Sequence, residues 1–138
     1  MTRSEIEACV RSIYAARQAG DCDGVMGHLC ESCAYEMMGD DGASPVPGRH
    51  EGPMVRSAME ALVAAFPVLD LRLEGLIVDG NRAAVEVVAR LRFGPTGETF
   101  DTRWASMFTF RDGRVVEVRE YIDTARAAQL MGALPQRG

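Results

Sequence analysis

Glycine-marked turns divide the second half of this chain into segments that read as strands. Asp79-Gly80-Asn81, Gly94-Pro95-Thr96-Gly97 and Asp112-Gly113 offer the positive-φ positions that tight hairpins use. Between and around them lie Leu69–Val78, Arg82–Phe93, Glu98–Arg111 and Arg114–Ile122. Successive strand residues point to opposite faces, so each segment splits into two sets. In the strand from Glu98, Phe100, Thr102, Trp104, Ser106, Phe108 and Phe110 oppose Asp101, Arg103, Ala105, Met107 and Thr109. In the strand before it, Val85, Val87, Ala89, Leu91 and Phe93 oppose Glu86, Val88, Arg90 and Arg92. The last strand sets Val116, Val118, Glu120 and Ile122 against Glu117, Arg119, Tyr121 and Asp123. One face is apolar and must be covered. The other mixes charges of both signs and fits a solvated or subunit-contacting surface.

Glu120 is the one charged residue on the apolar sets of these three strands. Burial penalises an ionised carboxylate and pushes its pKa toward neutrality. The expectation is an acid able to exchange protons near pH 7, as general acid/base catalysis requires. The alternative is a carboxylate near a strand end that reaches solvent or pairs with a helix arginine. Cys33, Tyr35 and Met37 share a face of an earlier strand, which lets Tyr35 present its hydroxyl to the same interior. Trp104 and Ser106 add polar tips to the lining, as small-molecule pockets require, although Trp104 is equally suited to core packing.

The first half supplies the cover. Ser4-Glu5-Ile6-Glu7 has the form of a helix capping box, Ile6, Val10, Ile13 and Tyr14 recur at helical spacing, and Gly20 marks the stop. Asp21 or Asp23 can cap a short second helix carrying Val25, Met26 and Leu29. Ser32–Met38 reads as a strand, and the run from Gly39 to Gly52 reads as a loop. Pro53 suits a first helical turn, Val55, Ala58, Met59, Leu62 and Phe66 form the stripe behind it, and Pro67 ends it. A last helix runs from about Thr124 to Met131, with Asp123 placed to cap it. The class is α+β: helices on one face of a curved antiparallel sheet.

At 138 residues, with 47% hydrophobic and 25% charged residues, the chain reads as a single domain over 1–138. Fifteen cations, all arginine, against twenty acids give a net charge of −5, which disfavours a nucleic-acid partner. No apolar run approaches a membrane span, and the start MTRSEIEACV lacks the apolar segment of a secretory signal, so a cytoplasmic protein is expected. Four cysteines are then expected as free thiols. His28, Cys30 and Cys33 form H-x-C-x-x-C, but a zinc site usually needs four ligands in two pairs and no second pair exists.

The order of these elements, with Y-A-A-R-Q-A-G-D-C-D-G after the first helix and F-R-D-G-R-V-V-E-V-R-E-Y-I-D near the end, resembles a known family. It is similar to the SnoaL-like polyketide cyclases and limonene-epoxide hydrolases of the nuclear transport factor 2-like superfamily. The likeness extends to G-R-x-x-x-P ahead of the third helix and to the terminal L-P-Q-R-G. It implies a cone-shaped α+β barrel on three to four helices, a deep apolar pocket and a homodimer formed through the outer sheet face. In the epoxide hydrolases a last-strand carboxylate works with a Tyr and an Asn on the first strand and an Arg-x-Asp pair in a middle strand. Those positions fall here on Glu120, Tyr35, Met37, and Val87 with Ala89. The base of ketosteroid isomerase aligns with Met37 or Glu36, and its second acid with Ser106. SnoaL-like cyclases use one late-strand acid, often beside a His; the histidines here, His28 and His50, fall outside every strand the sequence indicates.

These readings give a cofactor-independent enzyme acting on a small hydrophobic substrate by cyclisation or isomerisation, with epoxide opening or a non-catalytic binding domain as alternatives. Glu120 is the acid/base and Tyr35 the donor to a developing oxyanion. Trp104, Ser106, Thr102, Met37, Val87, Ala89, Val118 and Ile122 line the pocket. Asp123, His50 and Asp40 are lesser catalytic candidates, and the 39–52 loop, with Asp40, Asp41, Arg49 and His50, is a partial lid.

Overall fold

In the computed structural model, which describes residues 1–132, the first helix begins earlier than Ser4. Helix α1 (Arg3–Gln18) takes its capping box from Thr2 and Glu5: Thr2 Oγ1 accepts from the Glu5 amide at 3.1 Å, and the Thr2 amide donates to Glu5 Oε1 at 3.3 Å. Both boxes have the same form, and the earlier one adds helical backbone hydrogen bonds at no cost in capping. The helix ends in a Schellman motif. Gly20, at φ +70°, donates to the Arg17 carbonyl at 3.1 Å, and the Asp21 amide reaches the Ala16 carbonyl at 2.8 Å. Asp21 then caps the short helix α2 (Cys22–Met26) by accepting from the Gly24 amide at 2.9 Å.

Strand β1 (Leu29–Met38) starts before Ser32 and takes in Leu29, which the sequence pattern assigns to the second helix. The predicted loop holds a 3₁₀ turn at 41–43 and a short strand β2 (Arg49–Glu51). Helix α3 (Pro53–Ala65) carries Pro53 in its first turn and buries Val55, Ala58, Met59 and Leu62. Strands β3 (Val68–Asp79), β4 (Arg82–Arg92), β5 (Thr99–Arg111) and β6 (Arg114–Tyr121) follow, and helix α4 (Thr124–Leu130) closes the described chain. The L-P-Q-R-G segment lies outside the described residues.

The six strands form one curved sheet in the order β2-β1-β6-β5-β4-β3, and the sheet does not close on itself. The meander β3 to β6 is antiparallel, as the hairpin turns dictate. β1 joins β6 in parallel, which corrects the expectation of a wholly antiparallel sheet. The long connection through β2, α3 and three further strands gives the chain room to return in the same direction. Among the described residues no helix is long and apolar enough to cross a membrane.

The face assignment holds along β4 and β5: Val85, Val87, Ala89, Leu91, Phe100, Trp104, Ser106, Phe108 and Phe110 are all buried. It slips at the start of β6. Phe110 pairs with Val115 and Thr109 with Glu117, so Val116 is an extra residue in a bulge, and Val115 replaces it in the core. Beyond the bulge the phase is restored, with Val118 and Glu120 buried.

Candidate functional site

Strand register brings the polar groups of the interior together. Ser106 of β5 stands directly opposite Glu120 of β6, and Met37 of β1 stands opposite on the other side. Tyr35, two residues earlier on β1, is therefore a same-face diagonal neighbour of Glu120. From above, α1 lowers Tyr14 and, one turn on, Arg17. Both lie on the stripe begun by Ile6 and Val10.

Glu120 is 1% exposed and accepts from four side chains. Its Oε2 takes Arg17 Nη1 at 2.8 Å, Ser106 Oγ at 2.8 Å and the Tyr14 hydroxyl at 3.2 Å. Its Oε1 takes the Tyr35 hydroxyl. Tyr14 and Ser106 are also only 2.6 Å apart. Each hydroxyl has one proton, so with Ser106 donating to Oε2, Tyr14 donates chiefly to Ser106. A carboxylate offers about four lone-pair sites, and three donors crowd Oε2 while one meets Oε1. The spare acceptor site is on Oε1.

The electrostatics overturn one expectation. Burial by itself pushes Glu120 up, but the Arg17 charge and the hydroxyls of Tyr35, Ser106 and Tyr14 outweigh it and hold the carboxyl below its usual range. Glu120 is an anion near neutral pH rather than a poised acid. Burial pulls Arg17 down, and the facing Glu120 charge more than restores it. Burial, reinforced by the Glu120 charge, pushes both Tyr14 and Tyr35 up, so both keep their protons.

A cavity of about 250 Å³ opens beside this network. It lies among the C-terminal end of α1, the end of α3, the strand ends and α4, with Leu62, Phe66, Phe100 and Leu130 in its wall. Arg17 and Glu120 give it a polar side. Of the predicted lining, Thr102, Trp104, Met37 and Ile122 reach the cavity. Val87, Ala89 and Val118 do not: they are buried in the core cluster and form no part of the wall, although Val87 and Ala89 stand opposite Trp104 and Thr102, which do. Ser106 does not line it either; it is fully buried, with its hydroxyl engaged by Glu120 and Tyr14. Tyr35 holds Glu120 Oε1 and is not part of the wall, which corrects its expected place as a donor facing the substrate. The indole Nε1 of Trp104 is buried without a well-formed hydrogen bond, close enough to the Tyr14 hydroxyl to favour negative charge there.

The lesser candidates separate. Asp123 caps α4, accepting from the Arg126 amide at 3.0 Å, and also stands at the cavity wall. His50 belongs to β2, contrary to its assignment outside every strand, and its ring lies 6.4 Å from that of Tyr35. Its Nε2 is 3.2 Å from the Val46 carbonyl. Asp40 is exposed ahead of the 3₁₀ turn and does not line the cavity, and Arg49 pairs with Glu51 and Glu117. Of the 39–52 segment, Pro45 reaches the cavity. His28 meets Cys9, Nδ1 to Sγ at 3.5 Å, rather than joining Cys30 and Cys33 in a cluster. The four cysteines are free, and burial pushes the Cys33 thiol up to about 12.

The pairing of Glu120 with a helix arginine, the alternative the sequence left open, is the one observed, with Arg17 as the partner; sequence reasoning had assigned it no residue and missed Tyr14 as a polar contributor. The signal was present: an arginine continues the apolar stripe of α1 at the position where Glu120 interrupts the apolar face of β6.

A curved open sheet wrapped on four helices, with one acid in an apolar interior, defines the cone-shaped nuclear transport factor 2-like fold. The SnoaL-like domain family matches residues 10–118, and the chain belongs to it. Solved structures agree. An NTF2-like protein from Burkholderia xenovorans is 24% identical with a TM-score of 0.77, over 95% of this chain and 98% of that one. A candidate polyketide cyclase from Xanthomonas campestris is 20% identical with a TM-score of 0.74, over 94% of this chain and 98% of that one. An LEH-like epoxide hydrolase of M. tuberculosis is 20% identical with a TM-score of 0.72, over 94% and 91%. No curated protein matches the sequence significantly.

Proposed function

We propose that this protein is a small-molecule enzyme that moves protons on an apolar, polyketide- or terpenoid-like substrate, in cyclisation or isomerisation. The carrying observation is a single ionised, buried carboxylate on the wall of an apolar cavity, with its spare lone pair on Oε1. Glu120 acts first as base and then returns the proton as acid, which is worth about 10²–10⁴ in rate for such groups. Tyr35, Ser106 and Tyr14 are positioning residues: they fix the carboxylate and leave Oε1 as the one atom free to accept. The cavity volume suits a compact substrate, and no resident cofactor is invoked. Names given to fold neighbours, a candidate polyketide cyclase and a candidate isomerase, run in the same direction. A homodimer through the charged outer face belongs to the same reading, and sedimentation equilibrium tests it.

The test is Glu120→Gln, assayed on a panel of polycyclic ketones and β-dicarbonyl compounds. Turnover should fall about 10²–10⁴-fold while near-ultraviolet circular dichroism stays native. Undiminished turnover with a native spectrum rejects the reading. Epoxide opening is the second reading, favoured by the M. tuberculosis likeness and by the Tyr35–Glu120 contact. Against it stand Val87 and Ala89, apolar where an Arg-x-Asp pair would protonate the epoxide. Oxygen-18 from water appearing in product decides for it.

A further inference from the structure

Arg17 has hydrogen-bond capacity that the fold does not use. A guanidinium carries five N–H donors. Among the described residues its one hydrogen bond runs from Nη1 to Glu120 Oε2. The guanidinium carbon lies 5.3 Å from the centre of the Trp104 ring and 5.6 Å from that of Tyr14. Ring faces hold a guanidinium in place without occupying its N–H edges. The last turn of α1, with its carbonyl ends, further favours a cation there. Arg17 lines the same cavity as Glu120, and its side chain is 13% exposed. The polar side of the cavity therefore has surplus Arg17 donors beside the Glu120 carboxylate, whose spare lone pair is on Oε1.

We infer that Arg17 is a catalytic residue, the receptor for negative charge that forms on a substrate oxygen as Glu120 takes up a proton. The inference rests on the acid/base reading of Glu120 and adds to it the group that receives the displaced charge. The carbonyl oxygen of the substrate sits on an unused Arg17 N–H edge, and the neighbouring C–H faces Glu120 Oε1. Oε1 takes that proton, the C–H electron pair becomes the new C=C bond, and the carbonyl π pair moves onto oxygen. Glu120 becomes neutral as the oxygen becomes negative. Arg17 thus keeps one anionic partner before and after the step. A buried cation is never left unpaired, and the charge moves only across the width of one guanidinium. Where a second C=C bond of the substrate is conjugated with the new one, the oxygen pair re-forms the carbonyl, the C=C bonds shift by one position, and the proton returns from Oε1 to the far carbon, which completes an isomerisation with no further reactant.

This hand-over predicts that neutralising Glu120 turns the cavity into an anion site. The probes are 2-naphthoate and its neutral isostere 2-naphthamide at neutral pH. Binding is followed by calorimetry and by the indole N–H resonance of Trp104, the single tryptophan of the chain. In Glu120→Gln, 2-naphthoate should bind about tenfold or more tighter than to the parent protein, while 2-naphthamide changes little. The double variant R17M/E120Q, which removes both buried charges, should lose that gain. Should Glu120→Gln not fold, Glu120→Leu leaves the same charge and carries the same comparison. An E120Q protein that binds both probes alike overturns the assignment, and so does a double variant that keeps the preference. The two readings fail differently: lost turnover without the naphthoate gain rejects Arg17 alone, whereas retained turnover with the gain rejects Glu120 as the base.

Discussion

The two faces of strands β5 and β6 carry the same chemistry under opposite conditions. Outside, Arg103 meets Glu74 at 2.6 Å, Arg90 meets Asp101 at 3.6 Å and Arg119 meets Glu117 at 3.3 Å. The Arg90 and Asp101 side chains are 54% and 78% exposed, so water and salt already satisfy them. Inside, Arg17 and Glu120 meet at 2.8 Å with exposures of 13% and 2%. There, removing either partner strands a charge, and the pair is closed off by three hydroxyls. Distance alone does not separate the two kinds of pair, since Arg103–Glu74 is the shortest of them. Desolvation does. It turns an ordinary ion pair into one whose members are costly to lose and titrate away from their usual pH.

The largest break in that contrast is Arg17→Met. It leaves Glu120 buried without its counter-ion and should cost about 3–5 kcal/mol in urea unfolding. Ser106→Ala comes next. It removes one hydrogen bond to a charged group and should cost about 1.5–3 kcal/mol, with the Tyr14 hydroxyl left to reach Oε2 directly. The pH dependence is sharper in sign than in size. Glu120 has a folded pKa below its unfolded value of about 4.3, so its contribution is complete above that pH and is lost as pH falls through the folded pKa. Unfolding curves measured from neutral to acid should steepen in that window for the parent protein and flatten in Glu120→Gln. The smallest effect belongs to the outer face: a double-mutant cycle on Arg103 and Glu74 should return about 0–1 kcal/mol, and less in high salt. A larger value there would collapse the distinction between the faces.

The fold was legible wherever period two or a glycine turn set the chain. β3 to β6 came within a residue or two of their bounds because apolar alternation and hairpin turns both fix register. The parallel union of β1 with β6 was not legible, since no local pattern says which distant strand a segment joins. Strand β2 was hidden too; three residues in a Gly- and Pro-rich run carry no periodicity. The bulge at Val116 escaped because alternation cannot show where one residue is added. At the site, the face argument isolated Glu120 and Tyr35. It favoured a raised acid over one paired with a helix arginine, because burial was visible in the pattern and the residue carrying the compensating charge was not. Arg17 sits on a different element, and its pairing with Glu120 is a fact of docking angle rather than of spacing.

The parallel seam between β1 and β6 also sets when the site comes into being. Of the hydrogen bonds to Glu120, the one from Ser106 spans 14 residues and lies within a single hairpin. Those from Tyr35, Arg17 and Tyr14 span 85, 103 and 106 residues. Closing such loops is the slow part of folding, whereas a hairpin forms quickly. The meander can therefore assemble with Glu120 half dressed, and the acid acquires its partners only when the chain's beginning docks on its end. A site built this way is complete only when the last long-range contact forms.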